Sequence, residues 1–522
     1  MSLTGISDLQ KLNFVGVDYA SSPEIKLDGA ADDCLDVYSD PVGGLCTRAG
    51  MAHLNTTTVS AAATITGGWQ FRKAGQNYDV FMTNDGKILQ LVGAATHEMT
   101  TGLASTDANI HWSCMNGRDS AGGFIMIMVH SSLLPRKWDG VGGTLATTAA
   151  LGGTLITADF CIEWQRYYWL HSPGTNDMYY NGTIDNAESG YESYLRYDTP
   201  DVSDIVTGAG KNGDDMIIFK KWSLTRTVFQ PSSGVSIFSK QNIEAGIGTV
   251  SHWTIQTLPT GQTVWLGPDN NVYMLSGNVC RAVGDMIQPF LKLCNQGRLQ
   301  YAASGINRSL GHYWLSVTYG SGSSTHNRVL VMDYLHPYLD GKNKVQYPWW
   351  VYSRTVHSLW EGYVSGNQRL YSGGYDGFIN REDTGTSDAG VAISSDFWLS
   401  KPFSDGDPTI DKKHRSLYLA LEYKGAYNMR VEFIADRDQA ASMTKLVALN
   451  RGASSTSLWG VAQWDVDLWS ADQPMDSTIH IDRIAKVAQI KFSGSGTIDQ
   501  PWRLYNFTRI VKPLNRTHRV RE

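Results

Sequence analysis

Tyr78-Asp79-Val80-Phe81-Met82-Thr83-Asn84-Asp85-Gly86-Lys87-Ile88-Leu89-Gln90-Leu91-Val92 is the stretch that decides the fold. Two apolar runs flank Asn84-Asp85-Gly86, and Asp-Gly tolerates the positive φ angles that a tight hairpin turn demands. The same unit recurs along the chain. Residues 124–129 lead into Leu134-Pro135 and Trp138-Asp139-Gly140, and residues 166–170 turn at Pro173-Gly174 into Met178-Tyr179-Tyr180. Residues 216–219 are followed by Trp222 and Leu224, and residues 263–266 turn at Pro268-Asp269-Asn270 into residues 272–275. Residues 313–317 reach 328–333 through a Gly/Ser loop, and residues 369–371 turn at Tyr375-Asp376-Gly377 into Phe378-Ile379.

The apolar runs begin near residues 80, 124, 167, 216, 263, 313 and 370. Their spacing suits a four-stranded propeller blade of roughly 40–50 residues. A blade buries both faces against its neighbours, so its inner strands lose alternation and become apolar runs. One blade alone cannot hide those faces, whereas a closed ring can. A series of sandwich strands has no need of seven near-equal units. The expected fold is all-β: a seven-bladed β-propeller with a C-terminal β-sandwich or barrel-like domain.

Composition agrees. The chain has 522 residues, 52 of them glycine, and is 42% hydrophobic, 18% charged and 11% aromatic. Disorder over most of its length is excluded. The net charge of −6 argues against a surface that wraps nucleic acid widely. The six cysteines form no CxxC pair, which excludes zinc ribbons and redox motifs and favours buried free thiols. The opening residues show no basic-then-apolar leader, and the longest apolar run, 124–129, is far short of the ~20 residues of a membrane span.

Three regions are expected. Residues 1–60, with Phe14-Val15-Gly16-Val17 and Leu35-Asp36-Val37-Tyr38, supply a strand that closes the ring with the last blade. Residues 61–390 form the propeller, with a short helix over 285–293. Residues 391–522 form the C-terminal β domain, because Leu417, Leu419 and Leu421 alternate with Tyr418, Ala420 and Glu422. Eighteen Lys/Arg against fifteen Asp/Glu give this last region a charge of +3, leaving −9 for the rest.

No catalytic or cofactor-binding residue is assigned. The histidines have no HExxH or other metal spacing, and neither a G-x-S-x-G elbow nor a phosphate-cradling loop is present. The Asp-Gly pairs at Asp85, Asp139 and Asp376 read as turns. Trp138-Asp139 matches the WD dipeptide but does not repeat from blade to blade. Trp349-Trp350 fits a core or subunit contact better than a sugar platform. A carboxylate pair for glycoside hydrolysis stays open, since such groups meet in space and not in sequence. The basic end offers Arg509, Lys512, Arg516, Arg519 and Arg521 as candidates for docking an acidic partner protein or for contacting DNA, against the alternative of a frayed tail.

The order of these units resembles the propeller proteins of short-tailed bacteriophages: the packaged-DNA stabilisation proteins and the related tail nozzle or hub proteins. Asp33-Cys34-Leu35-Asp36-Val37-Tyr38 followed by Gly43-Gly44-Leu45-Cys46-Thr47-Arg48-Ala49-Gly50 is similar to their opening, with Ala49 where Pro is usual. Residues 166–180, 215–224, 263–275 and 371–377 resemble successive blade units of that family, and Lys412-Lys413-His414-Arg415-Ser416-Leu417 resembles the strand that opens its C-terminal domain. The resemblance implies a non-enzymatic virion protein without cofactors, assembled in the host cytoplasm and located in the tail. It implies a homo-oligomeric ring, usually a hexamer, below the portal and head-to-tail adaptor. That ring would extend the DNA exit channel, retain the genome, pass double-stranded DNA and carry tail fibres or a needle. The alternative from another class is a glycan-binding or glycan-cleaving propeller.

Overall fold

A computed structural model of the chain describes residues 14–449 and 474–514 apart from short stretches, of which 142–148, 151–155, 231–236 and 404–408 are the longest. The chain divides into two compact units.

Ala52–Leu335 and Arg354–Glu382 make the first unit, a β-propeller of seven blades. Blade 1 runs Ile65–Lys73, Gln76–Thr83, Ile88–Val92, Ala95–Glu98. Blade 2 runs Ser113–Arg118, Phe124–His130, Leu133–Trp138, Ala149–Ala150. Blade 3 runs Cys161–Trp164, Tyr167–His171, Asp177–Tyr180, Ser193–Arg196. Blade 4 runs Val206–Asn212, Asp215–Lys220, Ser223–Phe229, Phe238–Ala245. Blade 5 runs Gln256–Thr257, Thr263–Leu266, Val272–Ser276, Val279–Ala282. Blade 6 contributes Ala303–Asn307, His312–Val317 and Arg328–Asp333 to this unit. Blade 7 takes Ser358–Val364, Asn367–Gly373 and Ile379–Arg381 from late in the unit and Ala52–His53 from its start.

The second strand of each blade explains the apolar runs. Successive side chains of a strand point to opposite faces. In Phe124–His130, Ile125, Ile127 and Val129 face blade 3, whereas Met126 and Met128 face blade 1. In Asp215–Lys220, Ile217 and Phe219 face blade 5, whereas Met216 and Ile218 face blade 3. Each such side chain, once buried, contributes about 1.5–3 kcal/mol. The last seam is built like the others: Ile65, Phe81 and Leu89 of blade 1 pack with Trp360, Tyr371 and Ile379 of blade 7.

Closure is made by Ala52–His53, in antiparallel register with Asn380 and Arg381. Asn55 extends it: its side-chain amide donates to Gly377 O at 3.0 Å and accepts from Ile379 N at 2.8 Å. The two motifs singled out within residues 1–60 pair elsewhere. Gly16–Val17 lies parallel to Ala30–Leu35, and Val37–Ser39 pairs with Leu45–Thr47. Asp36, at φ 54°, turns the corner between those two pairings. The expected helix is a 3-10 turn, Asp285–Ile287, running into the α-helix Gln288–Leu293.

The second unit gathers Met1–Met51, His336–Ser353 and Asp383–Glu522, so the residues from 391 onward share their fold with earlier parts of the chain. One of its sheets contains Trp349–Tyr352, Gly16–Val17, Ala30–Leu35, Asp396–Phe403, Ala488–Ser493, Asn428–Ala435 and Met443–Ala448, in that order. The other is ordered Val37–Ser39, Leu45–Thr47, Arg503–Pro513, Lys412–Glu422, Pro474–Ala485. The two face each other as a sandwich, with Phe492 against Phe507 at 5.4 Å and Phe433 against His414 at 5.2 Å between ring centroids. Trp349 and Trp350 are wholly buried here and offer no face to a sugar. Gly16 admits the close approach: a Cβ there would stand 2.1 Å from Trp349 O.

Candidate functional site

The basic candidates at the chain end divide. Arg509 and Lys512 lie on Arg503–Pro513, opposite Leu417 and Lys413 of the neighbouring strand. Arg516, Arg519 and Arg521 lie outside the described residues. Lys512 is exposed, and its directly opposed residue is a second lysine. Like charges at such a pair repel. Lys413 reaches Asp482 Oδ1 at 3.2 Å. Sequence reasoning missed Lys413, because cross-strand register is not visible in spacing.

A second cluster forms at the middle of the propeller. His111 precedes the first strand of blade 2, Phe160 that of blade 3, Tyr301 that of blade 6 and His357 that of blade 7. His252 and Trp253 occupy a 3-10 turn before blade 5. Ring contacts run from His171 to Phe160, His252, Trp253, His111, His357 and His326, each step 4.3–5.9 Å between centroids. Blades 2, 5, 6 and 7 are not consecutive neighbours all round, so only the centre of the ring lets their ends meet.

Hydrogen bonding orders part of this cluster. His111 and His326 each donate Nε2–H to the single carbonyl oxygen of Tyr301, both at 2.9 Å. Thr318 Oγ1 lies 2.8 Å from His326 Nδ1, which accepts from it. His357 is fully buried, and neither of its ring nitrogens meets a hydrogen-bond partner. Burial pushes His111 down to about 4 and His326 to about 3, with His357 well below the ordinary imidazole value. Burial also lowers His130 and His252 to about 4. These rings are therefore neutral at pH 7.

Groups that could act as acid, base or nucleophile are mostly engaged. His171 faces Asp159 Oδ1 at 2.7 Å and Thr175 O at 3.0 Å, which occupies both ring nitrogens. The buried carboxylates Asp36 and Glu382 lie on Arg48 and Arg354, and Asp204 caps Trp222 N and Ser223 Oγ. Burial pushes the thiols of Cys46, Cys161 and Cys294 up to about 12. A thiol at that value supplies almost no thiolate nucleophile. Among the described residues no group of three or more His, Cys, Asp or Glu side chains could hold a metal ion, and no helix is long and apolar enough to cross a membrane.

No protein-family profile matches the chain, and no curated protein matches it in sequence. Solved structures similar to it include the WD40 β-propeller domain of Doa1, at 8% identity and TM-score 0.37, covering 64% of this chain and 96% of that one. The BBS1N chain crystallised in complex with ARL6DN gives 9% identity and TM-score 0.38, covering 66% and 100%. The computationally designed Ika8 protein gives 11% identity and TM-score 0.33, covering 64% and 99%. The propeller assignment rests on the strand pairing and the five seams described above.

Proposed function

We propose that this chain is a structural virion protein of a short-tailed phage tail, of the nozzle, hub or packaged-DNA stabilisation kind. It assembles as a ring, a hexamer in this reading, that extends the DNA exit channel below portal and adaptor and bears the distal tail parts. The order of sequence units carries the reading, because it follows that family through both the blades and the C-terminal domain. Two physical features support it. A propeller sealed into a ring has little free sheet edge, which suits a stiff wall element. The balance of −9 before residue 391 suits a conduit that repels phosphate, since a dense positive lining would hold DNA by counterion release. The Lys413–Lys512 pair and the basic chain end serve to dock an acidic neighbour.

Negative-stain imaging and sedimentation of the purified chain, alone and with tail extract, test this. Rings of uniform size are expected. A stable monomer that binds neither adaptor nor tail extract overturns the proposal, and glycan-array binding or reducing-sugar release by that monomer places the chain in the glycan class.

A further inference from the structure

His111, His326 and His357 come from blades 2, 6 and 7, yet they share one buried spot at the centre of the ring. His357 stands 4.4 Å from His111 and 5.9 Å from His326, centroid to centroid. His111 and His326 are tied to the same Tyr301 carbonyl. The other groups facing them are Trp253, whose ring is 5.1 Å from His111, and Tyr375, whose ring is 5.1 Å from His357. The charged group acting on His326 and His357 is Arg298, a cation, and His130 acts on His111. The Thr66 backbone also bonds His111, and among the described residues no carboxylate acts on His111 or His326. The backbone of Ala108 is the one favourable polar influence on His357. A proton placed here meets low dielectric, like-charged neighbours and, at His357, no hydrogen-bond acceptor at bonding distance.

We propose that this histidine cluster is an acid-sensitive clasp: protonation of its imidazoles parts the central ends of blades 2, 6 and 7 while the blade sheets stay paired. Opening returns each ring to water, where its pKa is about 6.5. An imidazole held near 4 when closed then makes the open form about thirtyfold more favoured at pH 5 than at pH 8. His326, held near 3, gives a similar factor, and the two together reach roughly a thousandfold. The cost is shared by three blades, so the response is steeper than that of one group.

Hydrogen exchange on the full chain at pH 8, 6 and 5, corrected for intrinsic rates, tests the clasp. Peptides spanning 105–115, 296–303, 322–330 and 354–360 are expected to gain at least a hundredfold in exchange at pH 5, with the second strands of the blades still protected. His357→Leu removes a titrating ring whose one favourable polar neighbour is the Ala108 backbone, and is expected to move the onset of central exchange about half a pH unit lower. His357→Gln, which keeps a polar side chain, is the second variant should the first not fold, with the same expected shift. The exposed His480→Gln serves as control and is expected to leave the onset unchanged. Uniform exchange across all blades, or an onset equal to the parent's in both His357 variants, overturns the proposal.

Discussion

His53 and Asn380 close the propeller: Nδ1 of His53 lies 2.7 Å from Oδ1 of Asn380, across a separation of 327 residues. The His53 ring stacks on Phe378 at 3.9 Å. The strand itself pairs only two residues, so the neighbouring side chains do much of the joining.

Asn55 is the strongest of them. It is buried, and its amide bonds Thr57 O, Gly377 O and Ile379 N. Asn55→Ala leaves the Ile379 N–H and the Thr57 carbonyl without this partner, while Gly377 O keeps Val59 N, and each group left unsatisfied costs about 1–3 kcal/mol. Urea unfolding is expected to show a loss of about 2–4 kcal/mol. A change below half a kilocalorie would mean that the closing strand does not depend on this residue.

The seam between blades 7 and 1 is tight at Gly68, where a Cβ would stand 2.3 Å from Trp360 Cε2. Gly68→Ala forces the indole aside, and overpacking of this kind costs about 1–3 kcal/mol. Thermal unfolding of the variant is expected to begin earlier than in the parent, and Gly68→Ala combined with Trp360→Leu is expected to recover part of the loss. An unchanged melting temperature for the single variant counts against the seam as drawn.

In the sandwich unit, Arg48 Nε donates to Asp36 at 2.5 Å while its outer nitrogens hold Asp388 in a fork. Asp36 is wholly buried and also accepts from Ser353 N. Removing one partner of a buried pair costs about 3–5 kcal/mol, because the other charge stays behind. Arg48→Met is expected to destabilise this unit by that amount, and Arg48→Met with Asp36→Asn by less. Equal losses in the single and double variants, read by denaturant titration, would separate the two residues energetically.

Stability of the propeller should fall with acid. Folded-state values near 4 for His111, His130 and His252 and near 3 for His326 lie below the unfolded value of about 6.5. The unfolded chain therefore binds more protons, and stability rises with pH in this window. It is fully present above about pH 6.5 and is lost as pH falls toward 4, by up to about 1.4 kcal/mol per pH unit for each group. A urea midpoint that does not move between pH 7 and pH 5 would contradict the burial of these rings.

The second strands of all seven blades were legible because both faces are covered, as in Phe124–His130 and His312–Val317. The first strands were not, since Thr66-Gly67-Gly68 and Ser304-Gly305 use small or polar residues where blades crowd together. The closing strand was expected from the right region and the wrong motifs. Phe14 and Leu35 look more strand-like than Ala52–His53, whose place is set by partners far along the chain. The central histidines were invisible for the same reason: residues 111, 326 and 357 have no sequence spacing to betray that they meet.

Because Ala52–His53 precedes blade 1 yet completes blade 7, it leaves the ribosome long before the strand it must join. Six blades emerge meanwhile, and blade 1 waits with one flank uncovered until Trp360 and Tyr371 arrive. A contact this distant carries a large loop-closure entropy and forms late, which slows folding. The nascent chain thus has a built-in interval of exposed apolar surface, during which a holdase chaperone or a slowed rate of synthesis would decide the yield of correctly closed molecules.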